Sequence, residues 1–385
     1  MIPGPVTDVL VKPAGPDCNL ACGYCFYSEK RPLSPAAHTR MSEEVLAAMI
    51  SQVVAQPIAS ISFGWQGGEP TLMGIPFFLK AIGLMQRYGR GKTVANGLQT
   101  NGMLIDKHWA KLFKDFHFLV GLSIDGPEHI HDHYRRTQRG QGSWRRAADA
   151  AKLMLDTGVE VNALTVVTDY SVQFPNEIYE FHKAQGLNFM QFIPCVETDP
   201  QDPGKVAPFS VSGEMYGGFL CTLFDLWLAD FSNGVPTTSI RFFESLLFMY
   251  AGFPPTECTL LEECGNYVVV EHNGDVYACD FFVDPEWKLG NLCETSLVEL
   301  INSGRQKEFG RRKAILHEDC RVCEWVKLCR GGCTKDRLVD HVGSNRNRLC
   351  RAFQIFFPHT DARFRRLAEG WKTKQVNIAT STKFH

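Results

Sequence analysis

Six short runs of apolar, β-branched and aromatic residues punctuate the first part of the chain, at 8–13, 60–65, 94–100, 118–123, 161–167 and 189–193. Each reads as a β-strand. Between them the apolar spacing changes to that of helices. In 42–56 the residues Val45, Leu46, Met49, Ile50 and Val53 fall on one face. Ser42 stands where it can cap that helix, and Glu43 and Glu44 suit the positive end of its dipole. Segments 75–88 and 143–157 have the same texture. Strands alternating with helices imply a parallel sheet covered by helices, so the fold class is α/β. Six such units fit a partial (β/α)6 barrel.

The texture then changes. Residues 199–208 are rich in Asp, Pro and Gly and read as a loop. Helical segments follow at 215–231 and 240–250. Strand-like runs at 267–271 and 276–280 flank Asn273-Gly274, a strong hairpin signal. Residues 351–371 read as a closing helix, with a frayed end after it. The expected division is 1–235 for the barrel, 236–358 for a cysteine-rich domain and 359–385 for the closing helix and tail.

Composition narrows the function. At 44% hydrophobic and 21% charged, the 385 residues are those of an ordinary globular protein. A net charge of -2 gives no reason to expect nucleic acid, and Arg135-Arg136 with Arg139 is too short a basic patch. No run has the length of a membrane span, and the first ten residues lack a secretory signal. No membrane association and a cytoplasmic location are therefore expected.

Fourteen cysteines are many for such a chain. Three lie within 18–25 and nine within 258–350. In a reducing compartment, clustered cysteines bind metal more often than they pair. The first group, Cys18, Cys22 and Cys25, follows the first strand. Three thiolates at that spacing suit three irons of one cubane and leave the fourth iron open to a substrate. A zinc knot is the plainer alternative, but zinc takes four ligands in a structural site and no further Cys or His follows before His38. The later group comprises Cys258, Cys264, Cys279, Cys320, Cys323, Cys329, Cys333 and Cys350, enough for two four-ligand sites. Two zinc ions are again the alternative. Cys195, Cys221 and Cys293 stand outside this count and read as packing residues.

Polar residues also gather where strands end. Gly67-Gly68-Glu69-Pro70 closes the second strand, where glycines allow close backbone approach. Gln99 to Gly102 closes the third, and Ser123 to Gly126 the fourth. The carboxyl ends of parallel strands are where such folds bind ligands.

The motif CxxxCxxC followed by Phe26 resembles that of the radical S-adenosylmethionine superfamily. The run CxxCx5CxxxC with a late lone cysteine resembles the SPASM domain. Blocks in order over nearly the whole chain, among them CNLACGYCFY, QGGEPTL, LQTNGMLID, FLVGLSIDGP, QFIPC, SIRFF, GDVYACDFF and LCRGGC, resemble the anaerobic sulfatase-maturating enzymes.

That resemblance implies three [4Fe–4S] clusters and S-adenosyl-L-methionine as cofactors. Cys18, Cys22 and Cys25 would hold the cluster that cleaves the cofactor to a 5′-deoxyadenosyl radical. Cys258, Cys264, Cys279 and Cys333 would hold one auxiliary cluster, and Cys320, Cys323, Cys329 and Cys350 the other. Tyr24, Gly67, Gly68, Glu69, Ser123, Asp125, Arg135 and Val196 would line the cofactor site, with Glu69 accepting from its ammonium and Arg135 binding its carboxylate. Asp280 would be the general base. Extended backbone there would turn Cys279 to the cluster and Asp280 to the substrate.

The implied reaction oxidises a cysteine or serine in an unfolded sulfatase polypeptide to Cα-formylglycine, beginning with loss of a Cβ hydrogen. A flavodoxin- or ferredoxin-like reductant and an anaerobic setting go with it. Pro194 and the pair Phe281-Phe282 depart from the pattern and bear on peptide preference. Two rival readings share the cysteines: another SPASM-type peptide-modifying or crosslinking enzyme, and a non-catalytic iron–sulfur or zinc protein. The short stretch before the first strand leaves no space for the N-terminal peptide-binding domain that the first rival would favour.

Overall fold

Each of the six expected strands forms: β1 (Asp8–Lys12), β2 (Ser60–Trp65), β3 (Thr93–Thr100), β4 (Leu119–Ser123), β5 (Glu160–Val167) and β6 (Phe189–Pro194). The helices between them are α1 (Glu43–Val54), α2 (Gly74–Tyr88), α3 (Lys107–Asp115), α4 (Glu128–Tyr134), α5 (Trp144–Thr157) and α6 (Pro175–Ala184). This computed structural model describes residues 4–28, 30, 39–199, 201–337 and 345–381, with 203–204 and 372–381 as backbone only. His38 lies outside the described residues. The chain divides into two compact units, one of Met1–Leu164, Gln185–Leu187 and Cys264–Arg312, the other of Thr165–Ala184, Asn188–Glu263 and Lys313–His385.

In the first unit β1 is central. It pairs in parallel with β2 on one side and with β7 (Val268–Glu271) on the other. The order runs outward through β3 and β4 to the start of β5, all parallel. On the far side β8 (Asp275–Tyr277) pairs antiparallel with β7, and β9 (Lys288–Asn291) pairs antiparallel with β8 at the edge. Val9, Val11, Phe63, Trp65, Val120 and Leu122 are each at most 2% exposed, which makes this sheet the core. Fully burying one such side chain contributes about 1.5–3 kcal/mol. Ser42 caps α1 as expected, its Oγ accepting from the Val45 amide at 3.3 Å.

In the second unit β6 pairs with the short strand Ser239–Ile240. Helices α7 (Gly213–Ala229) and α8 (Arg241–Ala251) pack with the closing helix Cys350–Ser381. Phe224, Trp227, Phe243, Phe356 and Phe364 form the aromatic centre of that packing.

Three expectations change. Residues 199–208 are not wholly loop, because Thr198–Asp199 pairs antiparallel with Asp202–Val206. Asp202, Pro203 and Gly204, whose types read as loop, lie within the second of these strands. The closing helix continues to Ser381 rather than fraying early, and 382–385 lie outside the described residues. The hairpin's second strand ends at Tyr277, short of Asp280, because Asp280–Phe282 turns into a 3-10 helix.

Candidate active site

Glu69, 1% exposed, ties two strand ends together. Its Oε1 accepts from the Thr71 amide at 3.0 Å, from the Thr71 hydroxyl and from Thr100 Oγ1 at 2.9 Å. Its Oε2 accepts the Asn101 amide at 2.8 Å. Burial pushes this carboxyl's pKa up, and the four donors pull the other way. A carboxylate offers about four acceptor positions. Three of the donors meet Oε1 and one meets Oε2, so Oε2 keeps an acceptor position for a further donor.

The two glycines before it serve the same assembly. The Gly68 amide donates to the Gly15 carbonyl at 2.8 Å, and the Glu69 amide to the Asp17 carbonyl at 2.8 Å. A Cβ on Gly68 would lie 1.9 Å from the Asp17 oxygen. The close approach is therefore to the chain that leads into Cys18.

Residues 18–25 are pinned from two sides. Ala21 and Gly23 amides donate to the Arg136 and Tyr134 carbonyls at 2.8 and 3.1 Å. Cys18 Sγ accepts the Leu20 amide at 3.4 Å and Asn101 Nδ2 at 3.5 Å. Burial pushes Cys18 up to about 12 and Cys22 up to about 11, and each of the two also feels the Cys25 charge. Three cysteines this close, whose thiolates would repel one another, form a donor set that fits an iron–sulfur cluster, whose positive irons would offset that repulsion. Among the described residues no three ligating side chains converge closely enough for a single ion. A cubane does not ask for that, since each thiolate takes a different iron.

Beside this loop Tyr24, Asp125 and Arg135 form one buried group. Arg135 Nε and Nη2 donate to Asp125 Oδ2 and Oδ1 at 2.7 and 3.1 Å, and the Tyr24 hydroxyl donates to Oδ2 at 2.7 Å. Burial disfavours the Asp125 charge, but the Arg135 guanidinium outweighs it and holds the carboxyl below its usual range. One edge of the guanidinium is thus given to Asp125. Ser123 closes β4 as a buried residue, 8% exposed. Val196 is fully buried in the second unit.

Asp280 sits at the start of its 3-10 turn with both oxygens engaged. Oδ1 accepts the Tyr267 hydroxyl at 3.0 Å, and Oδ2 accepts Gln66 Nε2 at 3.1 Å. The expected split of Cys279 and Asp280 to opposite faces does not occur. Cys279 is still extended, at φ -159° and ψ 152°, but the chain coils from Asp280 on, and Cys279 Sγ lies 3.6 Å from Asp280 Oδ1. Near them Lys12 is 1% exposed, its ammonium 3.7 Å from the centre of the Tyr27 ring. Burial lowers the Lys12 pKa, while Asp280 and Glu271 oppose that. Cys264 and Cys279 both pack on the cluster of Ala278, Trp287 and Phe309. Phe281 meets Phe26, ring centres 4.9 Å apart.

In the second unit Cys320, Cys323, Cys329 and Cys350 line a single cavity with Trp325, Gly331 and Arg337. Burial pushes Cys329 up to about 11, against a hydrogen bond from the Gly331 amide. Cys333 follows the turn of Arg330, Gly331 and Gly332, all left-handed at φ 49°, 72° and 65°. Cys258 is exposed at the start of a 3-10 turn. Of the remaining cysteines Cys195 is buried and Cys221 half-buried, whereas Cys293 is exposed and not a packing residue.

Asn101, Gln66, Lys12 and Tyr267 were not singled out from the sequence. Lys12 had a signal, a lone charge ending an apolar strand. Gln66 directly precedes the glycine pair. Asn101 lay inside a noted strand end, and nothing marked Tyr267.

Residues 13–182 match the Radical SAM superfamily, and residues 258–324 match an iron–sulfur cluster-binding domain, SPASM. The serine-type anaerobic sulfatase-maturating enzyme of Bacteroides thetaiotaomicron is 39% identical over 91% of this chain and 88% of its own. The cysteine-type enzyme of Clostridium perfringens strain ATCC 13124 is 36% identical over 96% and 100%. The chain belongs to the anaerobic sulfatase-maturating enzymes. A solved structure of this family, native anSMEcpe with bound AdoMet and Cp18Cys peptide, superposes with a TM-score of 0.88 at 36% identity, covering 95% of this chain and 99% of that one. The fold is accordingly the radical SAM partial barrel with a SPASM domain, as the sequence implied. Like its family, this maturase is a radical SAM oxidoreductase whose domains bind iron–sulfur clusters.

Proposed function

We propose that this maturase oxidises the Cβ of a cysteine or serine, in an unfolded sulfatase segment, to Cα-formylglycine. Family membership supports the reaction class, and the relative solved with a Cp18Cys peptide supports a peptide substrate. The observation that carries the reading is Asp280, a carboxylate held at both oxygens beside the thiol of Cys279.

When bound together, a reduced cluster and S-adenosylmethionine supply hydrogen-atom abstraction from an unactivated carbon. The protein's own residues do the rest. Cys18, Cys22 and Cys25 would hold the first cluster, which three thiolates leave open to the cofactor. Glu69 fixes the 67–70 and 99–102 turns against each other, which sets the wall near Cys18. Tyr24, Asp125 and Arg135 shape the wall near Cys22, and Arg135 presents its remaining donors to the cofactor's carboxylate. Gly67, Gly68 and Ser123 would complete the cofactor site on the first unit, and the family resemblance adds Val196 as a lining residue. Asp280 accepts the thiol or hydroxyl proton of the substrate, and its fixed orientation spares the cost of organising a base at the moment of reaction.

Three [4Fe–4S] clusters belong to this reading. By the family resemblance Cys258, Cys264, Cys279 and Cys333 would be the ligands of one auxiliary cluster, and Cys320, Cys323, Cys329 and Cys350 those of the other. Full ligation by thiolates suits them to carry electrons. The domain limits 1–235, 236–358 and 359–385, a flavodoxin- or ferredoxin-like reductant and a cytoplasmic location complete the proposal. Among the described residues no helix is long and apolar enough to cross a membrane.

The test is anaerobic incubation of the loaded enzyme, reductant and cofactor with Cys-x-Pro-x-Arg and Ser-x-Pro-x-Arg peptides, read by mass spectrometry. An aldehyde at the first position is expected. Accumulation of 5′-deoxyadenosine with neither peptide altered overturns the substrate assignment. Asp280→Asn is expected to keep cofactor cleavage and lose the aldehyde. Turnover at the wild-type rate in that variant overturns the assignment of the base.

A further inference from the structure

Tyr267 stands between the proposed base and a proposed cluster ligand. Its hydroxyl lies 3.0 Å from Asp280 Oδ1 and 3.3 Å from Cys279 Sγ. The residue itself is well anchored. Its backbone carbonyl accepts Gln306 Nε2 at 3.2 Å, and its ring packs against the buried cluster of Tyr27, Val269, Tyr277 and Val283. It directly precedes β7 and comes three residues after Cys264, so it is placed by the same segment that presents a cluster cysteine.

A phenol carries one hydroxyl proton, and a carboxylate and a metal-bound thiolate are both acceptors only. The one proton therefore serves two acceptors at once or in turn. We infer that Tyr267 is a positioning residue that ties the carboxylate of Asp280 to the sulfur of Cys279. This rests on the reading of Asp280 as base and Cys279 as ligand. Gln66 grips the far oxygen, so removing the Tyr267 hydroxyl leaves the carboxylate held at one end only.

Two consequences are separable. A hydrogen bond to a ligand sulfur stabilises the more negative, reduced form of a cluster and raises its potential. A carboxylate held at both oxygens keeps one orientation toward the substrate. Formylglycine formation removes one proton and one electron from the substrate after the hydrogen atom leaves. The same hydroxyl touches the proposed base and a sulfur that would ligate a cluster able to take the electron.

The experiment is Tyr267→Phe in the holoenzyme, which keeps the ring and its packing. Expected are a lower midpoint potential for one auxiliary cluster in an anaerobic redox titration and a fall in kcat of about tenfold. Peptide KM should stay unchanged, and 5′-deoxyadenosine should be released in excess of aldehyde. A purely structural tyrosine would not move the potential. A second measurement is the double-mutant cycle of Tyr267→Phe with Asp280→Ala on that potential. A non-zero coupling supports the tie, because Asp280→Ala frees the hydroxyl for the sulfur only when the hydroxyl is present. An unchanged potential in Tyr267→Phe, or a cycle that closes to zero, overturns the inference. If instead Asp280→Asn turns over peptide normally while Tyr267→Phe still shifts the potential, the base assignment fails and the tie to Cys279 stands.

Discussion

The Nδ1 of His131 accepts the backbone amide of Asp125 across 3.3 Å. Its Nε2 lies 3.0 Å from Ser143 Oγ, whose own proton goes to the Arg135 carbonyl at 2.8 Å. These bonds require the neutral ring with the proton on Nε2. A second proton on Nδ1 would face the Asp125 N–H.

That arrangement gives stability a pH dependence. Burial lowers the pKa of His131 from 6.5 to about 4, against the pull of Asp125. The unfolded chain therefore takes up a proton at this residue below pH 6.5, which the folded chain refuses until about pH 4. Stability falls as the pH drops through that window, by on the order of 3 kcal/mol from this residue. Anaerobic denaturation at several pH values should show a shallower acid loss in His131→Gln than in the wild type. Parallel profiles would remove His131 as the cause.

Gly68→Ala should damage the cofactor site without touching a cysteine. The new methyl would collide with the Asp17 carbonyl, which is backbone and has no rotamer by which to escape. Overpacking of this kind costs about 3 kcal/mol. The shift falls on the strand-to-loop passage just before Cys18. Iron and sulfide content of the reconstituted variant should drop, and S-adenosylmethionine binding with it. Full cluster content and unchanged cofactor affinity would show that the passage yields freely.

The barrel was legible because its information is local. Strands β1 to β6 are short apolar runs, and α1 announces itself through Ser42 and its apolar face. The cysteines were legible because ligand spacing within a loop is a sequence property. What stayed hidden depends on contacts between distant segments. Gln66 and Asp280 are separated by 214 positions and Tyr24 and Asp125 by 101, so no window of sequence shows either pair. Cys279 marks Asp280 in the sequence, but nothing there shows that the chain coils at Asp280–Phe282 and so sets the orientation of the carboxylate. Glu69 stands out in GGEP, but nothing there reveals that Thr100 and Asn101 also bond its oxygens.

Glu69→Gln tests that use. An amide keeps one acceptor oxygen but turns an NH2 group toward donors that now have nothing to donate to. With the side chain 1% exposed, water cannot easily repair the loss. A destabilisation of about 1–3 kcal/mol is expected from the unsatisfied donors. The denaturation midpoint of the variant measures it. If the midpoint holds while S-adenosylmethionine affinity collapses, Glu69 serves the ligand more than the scaffold.

Cys329→Ala separates the auxiliary clusters from the catalytic one. Cys329 shares its cavity with Cys320, Cys323 and Cys350, whereas Cys18, Cys22 and Cys25 belong to the other unit. Burial holds the free thiol near 11, so the site favours the thiolate only when positive iron is there to pair with it. Removing one of four ligands should lower iron content by about a third, the share of one among the three clusters proposed. Cleavage of S-adenosylmethionine by chemical reductant should persist, because it needs only the first cluster. Aldehyde formation should fall, because an electron leaving the substrate loses part of its route. Retention of all the iron would mean that the four thiols of this cavity do not hold a cluster together.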